Sequence, residues 1–233
     1  MITPVKRLLT ILLLCCTASA AAEETAVPPA HELPEGFCYI HEVIEDVLLD
    51  IRYAGTHNFV GDVIDGYEAP LAILTEKAAL ALRGAADEFR KMGYRILIYD
   101  AYRPQRAVKH FMRWAKDAED TRMRDEFYPE YSKKSLLVDQ GYIARNSSHT
   151  RGSALDMTLA DAEGNPLDMG TCFDYFGKKA WHGAKGLTGE QQSNRQILKT
   201  VMEKHGFKPF EKEWWHYRLK GEPFDTAFDF PVK

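Results

Sequence analysis

Cysteine is scarce in this sequence of 233 residues, with four in all. Two of them, Cys15 and Cys16, sit in an apolar segment near the N-terminus. No C-x-x-C pattern occurs, which excludes a cysteine-built zinc cluster. Positive charge is not in surplus either: 30 Lys and Arg stand against 34 Asp and Glu, a formal net charge of −4. Nucleic-acid binding runs on basic surface, so that class is excluded. Beyond the N-terminal segment no apolar run has the ~20 residues that span a bilayer. There is no internal repeat, low-complexity stretch or linker that would divide the chain.

What is present is ordinary for a globular protein: 45% hydrophobic and 27% charged residues. A chain of this length buries a core without metal or disulfide staples, so a metal here would serve chemistry rather than folding. The N-terminus reads as a cleaved secretory signal over residues 1–22. Lys6 and Arg7 form its positive region, Leu8 to Cys16 its short apolar run, and Thr17 to Ala22 a small-residue stretch with A-x-A spacing. An uncleaved anchor is the alternative. Cleavage would remove two cations and no acid, taking the formal charge from −4 to −6 and leaving no stable membrane insertion. Residues 23–34 are polar and Pro-rich, a flexible leader to one domain over 35–233. Cys38 and Cys172 remain. Export permits a disulfide between them, and two free thiols fit the sequence equally. The oligomeric state is not legible.

The pattern predicts an α+β fold, a small and mainly antiparallel sheet flanked by helices, with the site on the sheet. Thr75 to Met92 is the clearest helix, capped by Thr75, ended by Gly93, with Ala78, Leu82, Ala85, Ala86 and Phe89 on one face. Tyr94 to Asp100 reads as a strand. Pro104 can open the next helix at its first position. Residues 117–146 read as an irregular insertion. Ala154 to Leu159 alternates as a strand, with Ala154, Asp156 and Thr158 on one side. A helix runs from about Glu190 to Lys204 and ends at Gly206. Trp214 to Leu219 is strand-like by its aromatic content.

Chemistry concentrates in two places. In SSHTRGSALD, His149 lies seven residues before Asp156, with glycine and small residues between them for a tight turn into the strand. Imidazole nitrogen and carboxylate oxygen both suit zinc, and a catalytic site needs a third protein ligand and an open position. Any remaining histidine could be that ligand. His216 has the best company, because Glu213 lies three residues before it. Metal-assisted hydrolysis needs a carboxylate beside the attacking water to take and return a proton. In a flat strand, residues three apart face opposite ways, so the chain must bend or bulge between Glu213 and His216, or Glu213 must precede the strand. On spacing alone, a surface-loop histidine and a salt-bridging aspartate explain the first motif as well as a metal does.

SSHTRGSALDMTL and the later EWWHY closely resemble the signature of the D-alanyl-D-alanine dipeptidases of the VanX type. That family belongs to a wider group of zinc peptidases with D,D-carboxypeptidases and hedgehog-like domains. Further segments resemble it in the same order: Asp50 to Tyr67, YDAYRPQRAV at Tyr99 to Val108, MGTCFD at Met169 to Asp174, and the C-terminal FDFPVK. The likeness covers about residues 38 to 233.

The resemblance implies one zinc ion per chain, held by His149, Asp156 and His216, with Glu213 as general base and acid. It implies that Arg103 meets the developing oxyanion, a role suited to a rigid, always-charged guanidinium; a salt bridge at a strand end is the plainer reading. Asp174, helped by Tyr53, would take the substrate ammonium, and Ser147 and Tyr67 the substrate carboxylate. The expected reaction is hydrolysis of the small dipeptide D-Ala-D-Ala in peptidoglycan-related metabolism. Rival expectations are a D,D-carboxypeptidase or endopeptidase on longer wall peptides, or a zinc-binding signalling domain without turnover. Familiar dipeptidases of this type act in the cytoplasm. An exported form would meet D-Ala-D-Ala outside the inner membrane, so a periplasmic workplace is expected, with D-alanine recovery or wall-related signalling rather than resistance as its role.

Overall fold

The computed structural model describes residues 33–233. The signal segment 1–22 and nearly all of the leader lie outside the described residues. The chain order is β1 (Phe37–Tyr39), α1 (Ile40–Val43), β2 (Leu48–Leu49), β3 (Ile73–Thr75), α2 (Glu76–Lys91), β4 (Arg95–Asp100) and α3 (Gln105–Trp114). Then come α4 (Arg124–Phe127), α5 (Ser135–Asp139), β5 (Ala154–Ala160), α6 (Gly189–Lys204), β6 (Phe207–Phe210) and β7 (Glu213–Leu219). β1 and β3 form a two-stranded antiparallel pair. The other strands make one sheet in the order β2-β4-β5-β7-β6, antiparallel except for β2 against β4. This is the expected α+β architecture with a small, mainly antiparallel sheet.

The two long helices form where capping and periodicity place them. Thr75 caps α2 by accepting from the Ala78 N–H, and Gly93 follows its end at φ 85°. α6 starts in a capping box between Thr188 and Gln191 and is followed by Gly206 at φ 88°. The predicted apolar face of α2, Ala78, Leu82, Ala85, Ala86 and Phe89, is buried. Pro104 stands one residue outside α3, not at its first helical position. Its ψ of 147° is extended, and its carbonyl accepts the first N–H of the turn, from Ala107. The stretch 117–146 is loop-rich as expected, but holds α4 and α5, four and five residues long. Helices that short carry no readable period.

β5 is the centre of the sheet, and all seven of its residues are buried. Its register sets the site. Asp156 has Asp100 of β4 as its Cα partner on one side and His216 of β7 on the other. Three polar side chains thus lie in a row across three adjacent strands. Gly152 makes the turn into β5 in the left-handed region at φ 71°, and a Cβ there would run into the Phe37 ring. Cys38 and Cys172 are free thiols, so of the two readings left open the structure has the second. Burial pushes both up to about 11, which keeps them protonated at neutral pH. No helix among the described residues is long and apolar enough to cross a membrane.

Candidate metal centre and active site

His149 sits in a 3-10 turn, Ser148–Arg151, just before β5. The Ser147 hydroxyl accepts the His149 N–H (3.3 Å) and so fixes the turn. The imidazole is oriented by its Nδ1, which lies 2.7 Å from the Ala101 carbonyl. A carbonyl only accepts, so Nδ1 carries the hydrogen and Nε2 presents a lone pair. That Nε2 lies 3.1 Å from His216 Nδ1 and 3.4 Å from Asp156 Oδ2. His216 Nδ1 lies 3.0 Å from Asp156 Oδ1. Among the described residues, these three form the group whose ligand atoms lie within 4.8 Å of one another. Burial pushes the Asp156 carboxyl up, but His149 and His216 outweigh it and hold it far below its ordinary value. Burial lowers His216, which favours the neutral imidazole that a metal requires.

Glu213 reaches the same place by a break in the strand pairing. Phe210 pairs with Glu213 across the β6–β7 turn, yet Pro209 pairs with Tyr217. Trp214, Trp215 and His216 therefore have no register partner on β6. This irregularity is the bend that the Glu-x-x-His spacing demanded, and it brings Glu213 Oε2 within 4.0 Å of His216 Nδ1. The Glu213 carboxyl is buried. Burial first, then the charges of Asp156 and Asp174, raise it well above the usual carboxylate range.

Arg103 follows β4 and turns back over it. Its guanidinium lies 2.8 Å from Asp100 Oδ2 and 3.3 Å from Asp156 Oδ2, and stacks on the Tyr53 and Phe111 rings at 5.0 and 5.2 Å. The strand-end salt bridge is therefore present, and the same side chain also lines the cavity. Asp100 is a further member of the site that neither motif points to. It is wholly buried and accepts from Arg103 and from the Tyr67 hydroxyl at 2.5 Å. Its one sequence signal was its place at the end of a strand, three residues before Arg103.

These groups surround a cavity of about 190 Å³. Tyr53, Arg103, Ser147, His149, Asp156, Asp174, Glu213 and His216 all line it. Tyr67 packs against the ring of Tyr53, a lining residue, and its hydroxyl donates to Asp100 Oδ1 at 2.5 Å. Asp174 accepts from the Tyr53 hydroxyl at 2.8 Å. It is the non-glycine residue with positive φ, 59°, among the described residues, a strained backbone of the kind that collects at functional sites. Burial, then the charge of Asp156, raises its carboxyl well above the ordinary value.

The comparisons with known proteins bear on this geometry. A family model described as D-ala-D-ala dipeptidase matches residues 34–233. The chain belongs to the D-ala-D-ala dipeptidase family. Relatives in that family include a D-alanyl-D-alanine dipeptidase of Enterococcus faecalis, 40% identical over 86% of this chain and 100% of the relative. One of Enterococcus faecium is 38% identical over 85% of this chain and 98% of its own length. One of Streptomyces coelicolor is 36% identical over 84% and 98%.

This is a family of zinc peptidases, and the donor set fits the ion. Two nitrogens bound at about 2.05 Å to one tetrahedral zinc stand about 3.3 Å apart. The separations of 3.0, 3.1 and 3.4 Å between the facing atoms bracket that edge. Two imidazoles and one carboxylate leave a fourth position open, as a dipeptidase needs. The Ala101 carbonyl and the Ser148 hydroxyl, the latter 3.5 Å from His216 Nε2, support the outer nitrogens of the two rings.

Proposed function

We propose that this chain hydrolyses the free dipeptide D-Ala-D-Ala to two D-alanines, with Glu213 as the residue that moves the proton. The observation that carries this reading is the meeting of three metal donors, the raised carboxyl of Glu213 and the strained Asp174 around one cavity of about 190 Å³. Zinc held by His149, Asp156 and His216 would supply Lewis acidity toward the scissile carbonyl and toward the attacking water. Glu213 accepts the proton of that water and returns it to the leaving amine. Its raised pKa brings it nearer the operating pH, where one group serves as both base and acid. Arg103 donates to the oxygen on which negative charge grows. Its hydrogen bonds to Asp100 and Asp156 fix it in place before substrate arrives.

Both ends of the substrate are accounted for by lining residues. Asp174, held by Tyr53, meets the ammonium, and the Ser147 hydroxyl donates to the carboxylate. The lining has three carboxylates and one guanidinium, so it draws cations: the metal and the substrate ammonium. A volume of about 190 Å³ lies below that of ordinary drug-sized pockets, which favours a small dipeptide over a longer peptide stem. Purified protein assayed on D-Ala-D-Ala, L-Ala-L-Ala and a D-Ala-D-Ala-terminated pentapeptide, with and without a chelator, tests the reading. Chelator-sensitive cleavage of the free D,D-dipeptide is expected. A pentapeptide cleaved as fast would overturn it in favour of a carboxypeptidase.

We also propose that residues 1–22 direct export and that the chain works in the periplasm, on D-Ala-D-Ala released from the wall. The family match begins at residue 34, which leaves this segment outside what the relatives share. Fractionation that finds the uncleaved chain in the cytoplasm would sink this proposal.

A further inference from the structure

A second cavity, of about 540 Å³, lies between the end of α3, α4 and α5, and shares no lining residue with the first. Five cations line it: Lys116, Arg124, Lys133, Lys134 and Arg145; the lining has one acid, Asp139. Among the described residues, none of the five cations has a carboxylate within salt-bridge distance. Nearby, Arg113 and Arg122 do find acidic partners, in Asp65 and in Asp62 and Asp120.

Two of the lining groups are buried and unanswered. Lys134 is 5% exposed and Tyr128 1%, and neither Lys134 Nζ nor the Tyr128 hydroxyl has a hydrogen-bond partner. The ammonium stands 4.3 Å from the centre of the Trp114 ring, which packs edge-on against Tyr128. The ring face offers a cation–π contact but no acceptor. Asp120 is close enough to act on Lys134, but it is bound to Arg122. A buried water would satisfy one hydroxyl and one ammonium hydrogen, yet it brings no charge to five cations. Met112, Ala115, Ala118 and Val138 line the cavity as well and give it an apolar side.

We infer that this cavity binds a small organic anion, carrying phosphoryl or paired carboxylate groups, with Lys134 and Tyr128 as its buried donors and the other four cations around it. The volume lies within the range of small-molecule sites. Arg145 connects the two places, since its chain neighbours Ala144 and Asn146 line the catalytic cavity.

The test uses the full zinc-loaded chain, titrated at constant ionic strength with inorganic phosphate and, separately, with succinate. Heat of binding and melting temperature are both read. Saturable binding is expected with at least one probe, accompanied by a rise in melting temperature. The probe that binds says whether phosphoryl or carboxylate chemistry is recognised. Lys134→Met and Arg145→Met should each weaken that binding roughly tenfold or more, the effect of losing one charge-assisted bond. Arg145 is exposed, so its variant keeps the test sound even if Lys134→Met disturbs the fold. Equal binding by wild type and both variants, or saturable binding of neither probe, overturns the inference.

Discussion

Glu213 and His216 meet at 4.0 Å although they stand three apart on one strand. A regular strand would send them to opposite faces of the sheet. The pairing break between Pro209 and Phe210 turns both inward, and pairing with β6 resumes at Tyr217. His216 stays in register with Asp156 on the other side, so the irregularity moves Glu213 without moving the proposed ligand. β5 supplies the fixed edge and β6 the yielding one.

Glu213→Gln should separate proton transfer from metal binding. The change keeps the shape and removes the base. Turnover of D-Ala-D-Ala is expected to fall by about 10²–10⁴ or more. Zinc should stay at one per chain, since His149, Asp156 and His216 are untouched. Metal analysis alongside steady-state rates checks this, and a variant of undiminished rate would refute the role given to Glu213.

Much of this site could be read along the chain. β5 and β7 declared themselves through alternation and aromatic content, α2 through its Thr75 cap and apolar face, and α6 through Gly206 at its end. The need for a bend at Glu213 followed from the chemistry required of it. Asp100 could not be found that way, because its partner Tyr67 lies 33 residues away. A contact of that span leaves no period and no spacing. For the same reason nothing in the spacing shows that the Tyr67 hydroxyl braces Asp100. Lys134 falls in the irregular stretch 117–146, where no period marks which side chains the fold buries.

Tyr67→Phe and Ser147→Ala should part company. Tyr67→Phe deletes a buried bond of 2.5 Å and leaves Asp100 one donor short. That is expected to destabilise the fold by about 1–3 kcal/mol, measured by denaturant unfolding. Because that hydroxyl is engaged by Asp100, KM for D-Ala-D-Ala should change less than in Ser147→Ala. Ser147→Ala should raise KM several-fold. A larger KM effect from Tyr67→Phe would show that its hydroxyl meets the substrate carboxylate as well as Asp100.

Removing the metal should destabilise as well as inactivate. Without a cation, two ring nitrogens and a carboxylate face each other at 3.0–3.4 Å with too few hydrogens between them. A ligand that binds only the folded chain at a hundred times its Kd adds about 2.7 kcal/mol. For a chain of this size that is roughly 5–10 °C in melting temperature. Chelation should lower the melting curve by that order, and zinc should restore both curve and rate. His216→Ala should show the lower curve with or without added zinc.

Asp174→Asn should stabilise the metal-free chain while impairing the enzyme. The folded pKa of Asp174 is raised, by burial and then by Asp156. As pH rises past about 3.9, the unfolded chain releases this proton and the folded chain keeps it. Native stability therefore falls with rising pH, by up to ~1.4 kcal/mol per unit, until the folded pKa is passed. Asparagine has no such proton and loses nothing over that window. It also tolerates the left-handed backbone at φ 59° and can still accept from Tyr53. The melting temperature of Asp174→Asn in chelator should match wild type near pH 4 and exceed it increasingly toward pH 7. Activity should move the other way, because the ammonium loses its charged partner. A charge-assisted bond of about 1.5–3 kcal/mol corresponds to a loss of roughly 10- to 100-fold in kcat/KM. A variant no more stable than wild type at pH 7 would show that Asp174 is ionised without strain in the folded chain, and one of undiminished kcat/KM would move the ammonium site to another acid.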